Sequence, residues 1–163
     1  WLFEPIPENT IAALRETLDR LDGADLGEAP DLDSLPDIEG EDIIDSRDVV
    51  ERYEGYRLAV VAMGLDPDNI PECYRDHETV SEYRALRELN DAGECYAGDW
   101  AFGATLVADE HFTEYAEELA KDIGAVNGDA TWPNNHIDWE AAADALKADY
   151  TAIESKGARY WVR

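Results

Sequence analysis

The stretch EAPDLDSLPDIEGEDIID, residues 28–45, holds eight carboxylates in eighteen positions and no lysine or arginine. Oxygen at that density invites calcium, which is the first chemistry to weigh. A calcium loop needs oxygen ligands at positions 1, 3 and 5, a glycine at 6 and a glutamate at 12. Counting from Asp31 puts Leu35 and Pro36 at positions 5 and 6. Counting from Asp66 puts Ile70, Pro71 and His77 at positions 5, 6 and 12. Neither run is a calcium loop, and no metal is expected. Cys73 and His77 have a ligand-like spacing, but Cys95, His111 and His136 are the only other soft donors. A structural zinc site brings paired elements such as C-x-x-C or H-x-x-x-H, and the chain has none.

Catalytic signatures are missing as well. There is no G-x-S-x-G, no phosphate-binding loop and no G-x-G-x-x-G. Acids are so abundant that two will stand at a glycosidase separation by chance, so carboxylate pairs carry no information here. The sequence reads as a protein that is not an enzyme and needs no cofactor.

One acidic row has a regular geometry. Glu110, Glu114 and Glu118 recur at i, i+4 and i+8, with Glu117 and Asp122 flanking them. On a helix they lie opposite Phe112, Tyr115 and Leu119, about 6 Å of rise apart. Like charges at this spacing destabilise a helix by about 0.2–0.5 kcal/mol per pair. Lys121, four after Glu117, is the only local relief. A row that costs stability points to a use for the charge.

The elements that must carry these residues are mostly helical. Asn9 is placed to cap a helix bearing Ile11, Leu14, Leu18 and Leu21, ended by Gly23. Asp45 or Ser46 can cap a second, with Val49, Val50, Tyr53, Tyr56, Val60 and Met63, stopped by Gly64 and Pro67. A third starts near Thr79, shows Val80, Tyr83, Leu86 and Leu89, and is expected to end before Gly93. The Gly- and aromatic-rich run 96–110 has room for a short strand. Asp109 is expected to cap the acidic helix, with Ile123 on its inward stripe and Gly124 at its end. Asp138 starts a last helix with Trp139, Ala142, Ala143 and Leu146, and DYTAIES-KG-ARYWVR reads as a β-hairpin turning at Gly157. Leu32, Leu35, Ile38, Ile43 and Ile44 should pin the acidic run 31–45 to a core.

Composition bounds the rest. The chain has 163 residues, 39 acids, 13 bases, five Trp and eight Tyr, with a net charge of −26. Its aromatic content argues for a folded protein rather than a disordered acidic chain. Such a field repels nucleic acid and anionic membranes and attracts basic proteins. Two cysteines form no disulfide framework and fit a reducing cytoplasm. Neither a signal peptide nor a membrane span is evident. The chain opens on Trp1 rather than Met, so the natural N-terminus is expected further upstream.

The C-terminal third resembles a known family. HFTEYAEELAKDIG (111–124), the TWP of 131–133 and HIDWEAAADALKADYTAIESKGARYWVR (136–163) resemble ArdA-type antirestriction proteins. The matching positions are Tyr115, Ala116, Glu117, Glu118, Ala120, Asp122 and Gly124. They continue through Ile137, Asp138, Trp139, Glu140, Ala142, Ala143, Leu146 and Asp149 to the closing Tyr160-Trp161-Val162-Arg163. CYAGDW (95–100) is similar to the family's stretch before the acidic helix, and WLFEPIPENTIAALRETL (1–18) to its first-domain segment. The expected fold is α+β and mostly helical, an elongated chain of small modules ending in a helix-helix-β-hairpin unit. Its parts would be an N-terminal α/β module over 1–45, a central helical module over 46–94 and a C-terminal α+β module over 95–163.

The resemblance implies an acidic DNA mimic that competes for the DNA-binding groove of type I restriction-modification enzymes. It implies a homodimer that contacts no nucleic acid directly. The phosphate-mimicking candidates are Asp31, Asp33, Asp37, Glu39, Glu41, Asp42 and Asp45 in the first run. Asp109, Glu110, Glu114, Glu117, Glu118 and Asp122 follow around the acidic helix, then Asp138, Glu140 and Asp144. Two alternatives share this composition: a salt-adapted acidic domain, and an acidic binding protein or chaperone for a basic partner. Three lysines against ten arginines fit the first of these.

Overall fold

In the computed structural model, residues 30–163 are described. The helix expected from Asn9 to Gly23 and the segment 1–18 lie outside them. The described chain is α+β and mostly helical, built on a four-stranded antiparallel sheet.

The sheet collects distant pieces of sequence. Strand β1 (Ile43–Asp45) lies at one edge, β2 (Thr105–Ala108) beside it, then β4 (Ala158–Val162), with β3 (Thr151–Ser155) at the far edge. The register pairs Ile44 with Leu106, Leu106 with Val162, and Ile153 with Tyr160. Because strand side chains alternate in direction, these residues share one face. They meet Val49, Leu86, Leu89 and Trp100 in the main core. Val107 and Trp161 take the other face, where Phe112, Ala116 and Ala143 cover them.

Helix α1 (Ser46–Ala62) follows β1 directly, capped by Asp45, whose side chain accepts from the Arg47 amide. Helix α2 (Glu78–Tyr96) packs against α1 and β3. It runs through Gly93 instead of ending there. The glycine there serves Trp100, on the one-turn helix α3 (Trp100–Gly103), whose indole occupies the space a side chain at 93 would need. Only glycine lets the ring approach the helix backbone so closely. Trp100 Nε1 donates to Asn90 Oδ1 at 2.9 Å, which satisfies a buried polar pair. Fully buried Ser46 fastens the same region to α1. Its hydroxyl donates to the Trp100 carbonyl at 2.5 Å and accepts from the Ala104 amide at 2.7 Å.

On the other face of the sheet lie α4 (Phe112–Asp122) and α5 (Trp139–Leu146), packed against each other. Phe112 packs edge-on against Tyr150 and Trp161, at 5.2 and 5.9 Å between ring centres.

The main core takes Ile38 and Ile44 from the expected first module. Val49, Leu86 and Leu89 come from the second, and Leu106, Ile153 and Val162 from the third. The boundaries expected at 45/46 and 94/95 therefore fall inside one shared core and one sheet. Of the residues meant to pin the acidic run, Ile38 and Ile44 are buried, whereas Ile43 is 42% exposed. Ile123, expected inward, is 71% exposed, because α4 ends at Asp122 and the chain turns away through Gly124.

Candidate functional site

The acidic helix is held from beneath by a charged clamp. A 3-10 turn, Asp109–His111, precedes α4. Asp109 does not cap it, contrary to expectation. Its carboxylate accepts from Lys147 Nζ and Trp161 Nε1, each at 2.7 Å. Those two bonds, with Lys147 the stronger cause, hold the Asp109 pKa below the usual carboxylate value. The Lys147 ammonium also lies over the Phe112 and Trp161 rings, 5.3 and 5.2 Å from their centres. Asp109 is thus a structural anion that ties the entrance of α4 to β4 and to the end of α5.

With Phe112 and Ala116 buried, helical geometry turns Glu110, Glu114 and Glu118 outward, and all three are exposed. Glu110 and Glu114 sit at the start of the helix, where its dipole favours negative charge and offsets part of their mutual repulsion. Glu117 departs from the expected ridge. It is half-buried and pairs with Lys121 at 2.6 Å.

The same turn brings in the acidic run of residues 31–45. The Ala108 amide donates to the Asp42 carbonyl at 2.8 Å, extending the β1–β2 pairing by one rung. Beside it, His111 Nδ1 lies 2.9 Å from Glu114 Oε2 and 3.9 Å from Asp42 Oδ2. Asp42 therefore stands next to the first turn of α4. A groove of about 430 Å³ there is lined by Glu41, Asp42, Glu110, Glu154 and Arg159, among others, with Arg159 paired to Glu154. Two acidic tracts remote from each other in sequence join into one line, Glu41–Asp42–Glu110–Glu114–Glu118.

Of the sixteen candidates, thirteen are exposed and three, Asp45, Asp109 and Glu117, are half-buried. Each of those three is engaged by a base: Arg47, Lys147 and Lys121 respectively. Glu39 is exposed yet held by Lys156, whose hydrogen bond draws its pKa down. Asp31 and Asp37 bond backbone amides two residues on, and Asp138 caps α5 through the Ala141 amide at 3.0 Å. Glu140 and Asp144, one turn apart on α5, are exposed, as are Asp33 and Asp122. Among the described residues no lysine or arginine pairs with Glu41, Glu110 or Glu118. No group of His, Cys, Asp and Glu among them is placed to hold a metal ion. None of the described helices is long and apolar enough to cross a membrane.

Sequence reasoning found Lys121 beside Glu117 but missed the other two lysines, Lys147 and Lys156. All three lysines grip carboxylates: Lys121 on Glu117, Lys147 on Asp109, and Lys156 on Glu39 and Glu82. Their scarcity in so acidic a chain is the signal that could have found them. His111, which joins the two tracts, has no such signal, because its partner Asp42 is remote in sequence.

Asp45 gives a pH-dependent prediction. Arg47 donates to it from both side chain and backbone, lowering its pKa from the ordinary 3.8 to about 2. A folded-state pKa below the unfolded value means the contribution is complete above about pH 4 and fades as pH falls towards 2. Asp45→Asn should therefore lower the melting temperature at pH 5. The gap to the parent protein should close by pH 2, as read by circular dichroism.

Compared with protein-family models, curated proteins and solved structures, the chain matches none.

Proposed function

We propose that this protein is an antirestriction protein of the ArdA type. In this reading it is an acidic mimic of DNA that occupies the DNA-binding groove of a type I restriction-modification enzyme. The observation that carries the reading is the joined carboxylate line, displayed on a helix anchored by Asp109, Lys147 and Trp161. A rigid display matters because carboxylates held in place lose little freedom when basic side chains meet them.

Charge spacing shows what else the mimic requires. Duplex DNA presents one charge per about 3.4 Å of axis on each strand. The α4 ridge presents one per about 6 Å. One ridge is about half as dense as one strand, so Glu41, Asp42, Glu140 and Asp144 supply the remaining charge. The partner would supply lysines and arginines, the attraction would be screened by salt, and no bond would be made or broken.

One observation favours the salt-adapted reading. Exposed acids also stand far from this line, including Glu51 and Glu54 on α1 and Glu88 and Asp91 on α2. The two readings differ in sign with salt. A mimic's inhibition of a purified type I enzyme weakens as salt rises, whereas a salt-adapted domain gains stability and inhibits nothing.

A further inference from the structure

Beside the acidic groove lies a second opening of different character. A slot of about 340 Å³ enters the core between α2 and the sheet, walled by Ile38, Ile44, Leu86, Leu89 and Tyr160. Its rim is ionic but balanced. The Lys156 ammonium bridges Glu39 and Glu82, while Arg52 meets Glu82 at 3.4 Å and the Pro36 carbonyl at 2.9 Å. Lys156, and Arg52 from outside the slot lining, offset Glu39 and Glu82, and most of the remaining lining is apolar.

Lys156 stands in the left-handed region, at φ 50°. Two-residue hairpin turns usually place Asn, Asp or Gly there. A lysine in that position reaches back across the rim, which those residues could not do. The slot and the acidic groove share Gly40, Ala158 and Tyr160, so the two openings adjoin.

We infer that these adjoining openings form a two-part recognition site for a basic segment of the protein partner. One apolar side chain of the partner enters the slot, and the flanking arginines or lysines lie along Glu41, Asp42 and Glu110. The inference rests on the reading of the acidic line as a partner surface, and it adds an apolar anchor that DNA does not have. Charge complementarity selects the occupant. A net charge of −26 repels nucleic acid and anionic lipid and favours a cationic segment. The slot's volume lies at the small end of the range for small-molecule pockets, about 300–1,000 Å³, and leaves room for one apolar side chain.

Two amidated, acetylated peptides test this on the intact chain: Arg-Arg-Leu-Arg-Arg and Arg-Arg-Ser-Arg-Arg, titrated by calorimetry at several salt concentrations. The leucine peptide should bind about tenfold more tightly at every salt, since burial of one apolar side chain is not screened. Both peptides should weaken in parallel as salt rises. Ala85→Phe and Ala158→Phe fill the slot from its helix and sheet walls, so loss of fold in one leaves the other informative. Either should abolish the leucine advantage, whereas Glu41→Gln with Glu110→Gln should weaken both peptides equally.

Equal binding of the two peptides overturns the slot while leaving the acidic surface intact. A leucine advantage that survives both filled variants also overturns it. Acetyl-leucine amide binding as tightly as the leucine peptide assigns the slot to a small molecule instead. Dimerisation that Ala85→Phe abolishes assigns it to a second copy. A leucine advantage in a protein that fails to inhibit a type I enzyme keeps the slot and removes the DNA-mimic reading.

Discussion

Trp100→Ala is expected to cost about 3–5 kcal/mol of stability, the range for removing a buried large aromatic side chain. Total stabilities of about 5–15 kcal/mol make that a large share. The cost has several sources. The indole is 2% exposed, so its whole apolar surface would vanish from the core. Asn90 Oδ1 would lose its donor inside the fold. Gly93 would face a void where the ring had been, with no side chain to fill it. Urea unfolding should show a much lower midpoint with an unchanged slope, the signature of lower stability rather than an altered transition. A change under about 1 kcal/mol, the size of an ordinary substitution, would mean that α2, α3 and the sheet do not share the core described.

The second large effect concerns the surface. Replacing Glu41, Asp42, Glu110, Glu114 and Glu118 together by Gln or Asn should weaken inhibition of a type I enzyme by about a hundredfold. Removing one exposed charge from an ion pair costs about 0.2–1 kcal/mol, so five together cost about 1–5 kcal/mol, a range centred near the roughly 2.7 kcal/mol of a hundredfold change. The salt dependence of binding should flatten, because fewer counterions are exchanged. Stability should hold or rise, since like-charge pairs along α4 are relieved. Any one Glu→Gln change should alter inhibition less than about fivefold, because neighbouring carboxylates share the load. Abolished inhibition from one such change would place the function in a specific contact rather than a distributed charge.

The helices are readable in the sequence wherever apolar periodicity coincides with a cap. Val49, Val60 and the Asp45 cap mark α1. Phe112 and Ala116 mark the inward face of α4, Asp138 caps α5, and the Lys156-Gly157 turn sits in the expected hairpin. What escapes such reading depends on partners remote in sequence. Strand β1 is three residues, Ile43–Asp45, inside an acidic run, and becomes a strand only by pairing with Thr105–Ala108. Gly93 has the local look of a helix end, because no nearby pattern announces that Trp100 will pack on it. Asp109 has the look of a cap because a carboxylate before a helix usually is one; Lys147, 38 positions away, claims it. The acidic display is legible as charge, but its continuity is not. Asp42 joins the α4 ridge only through the β1–β2 pairing and His111.

The most direct measurement is competition between this protein and duplex DNA for one purified type I restriction-modification complex. A fluorescent duplex carrying the enzyme's recognition site would report by anisotropy. The expected result is full displacement near one protein per DNA-binding site, with an apparent affinity that falls as salt rises. Retention of the duplex at micromolar protein in low salt, by a properly folded sample, would contradict the DNA-mimic function.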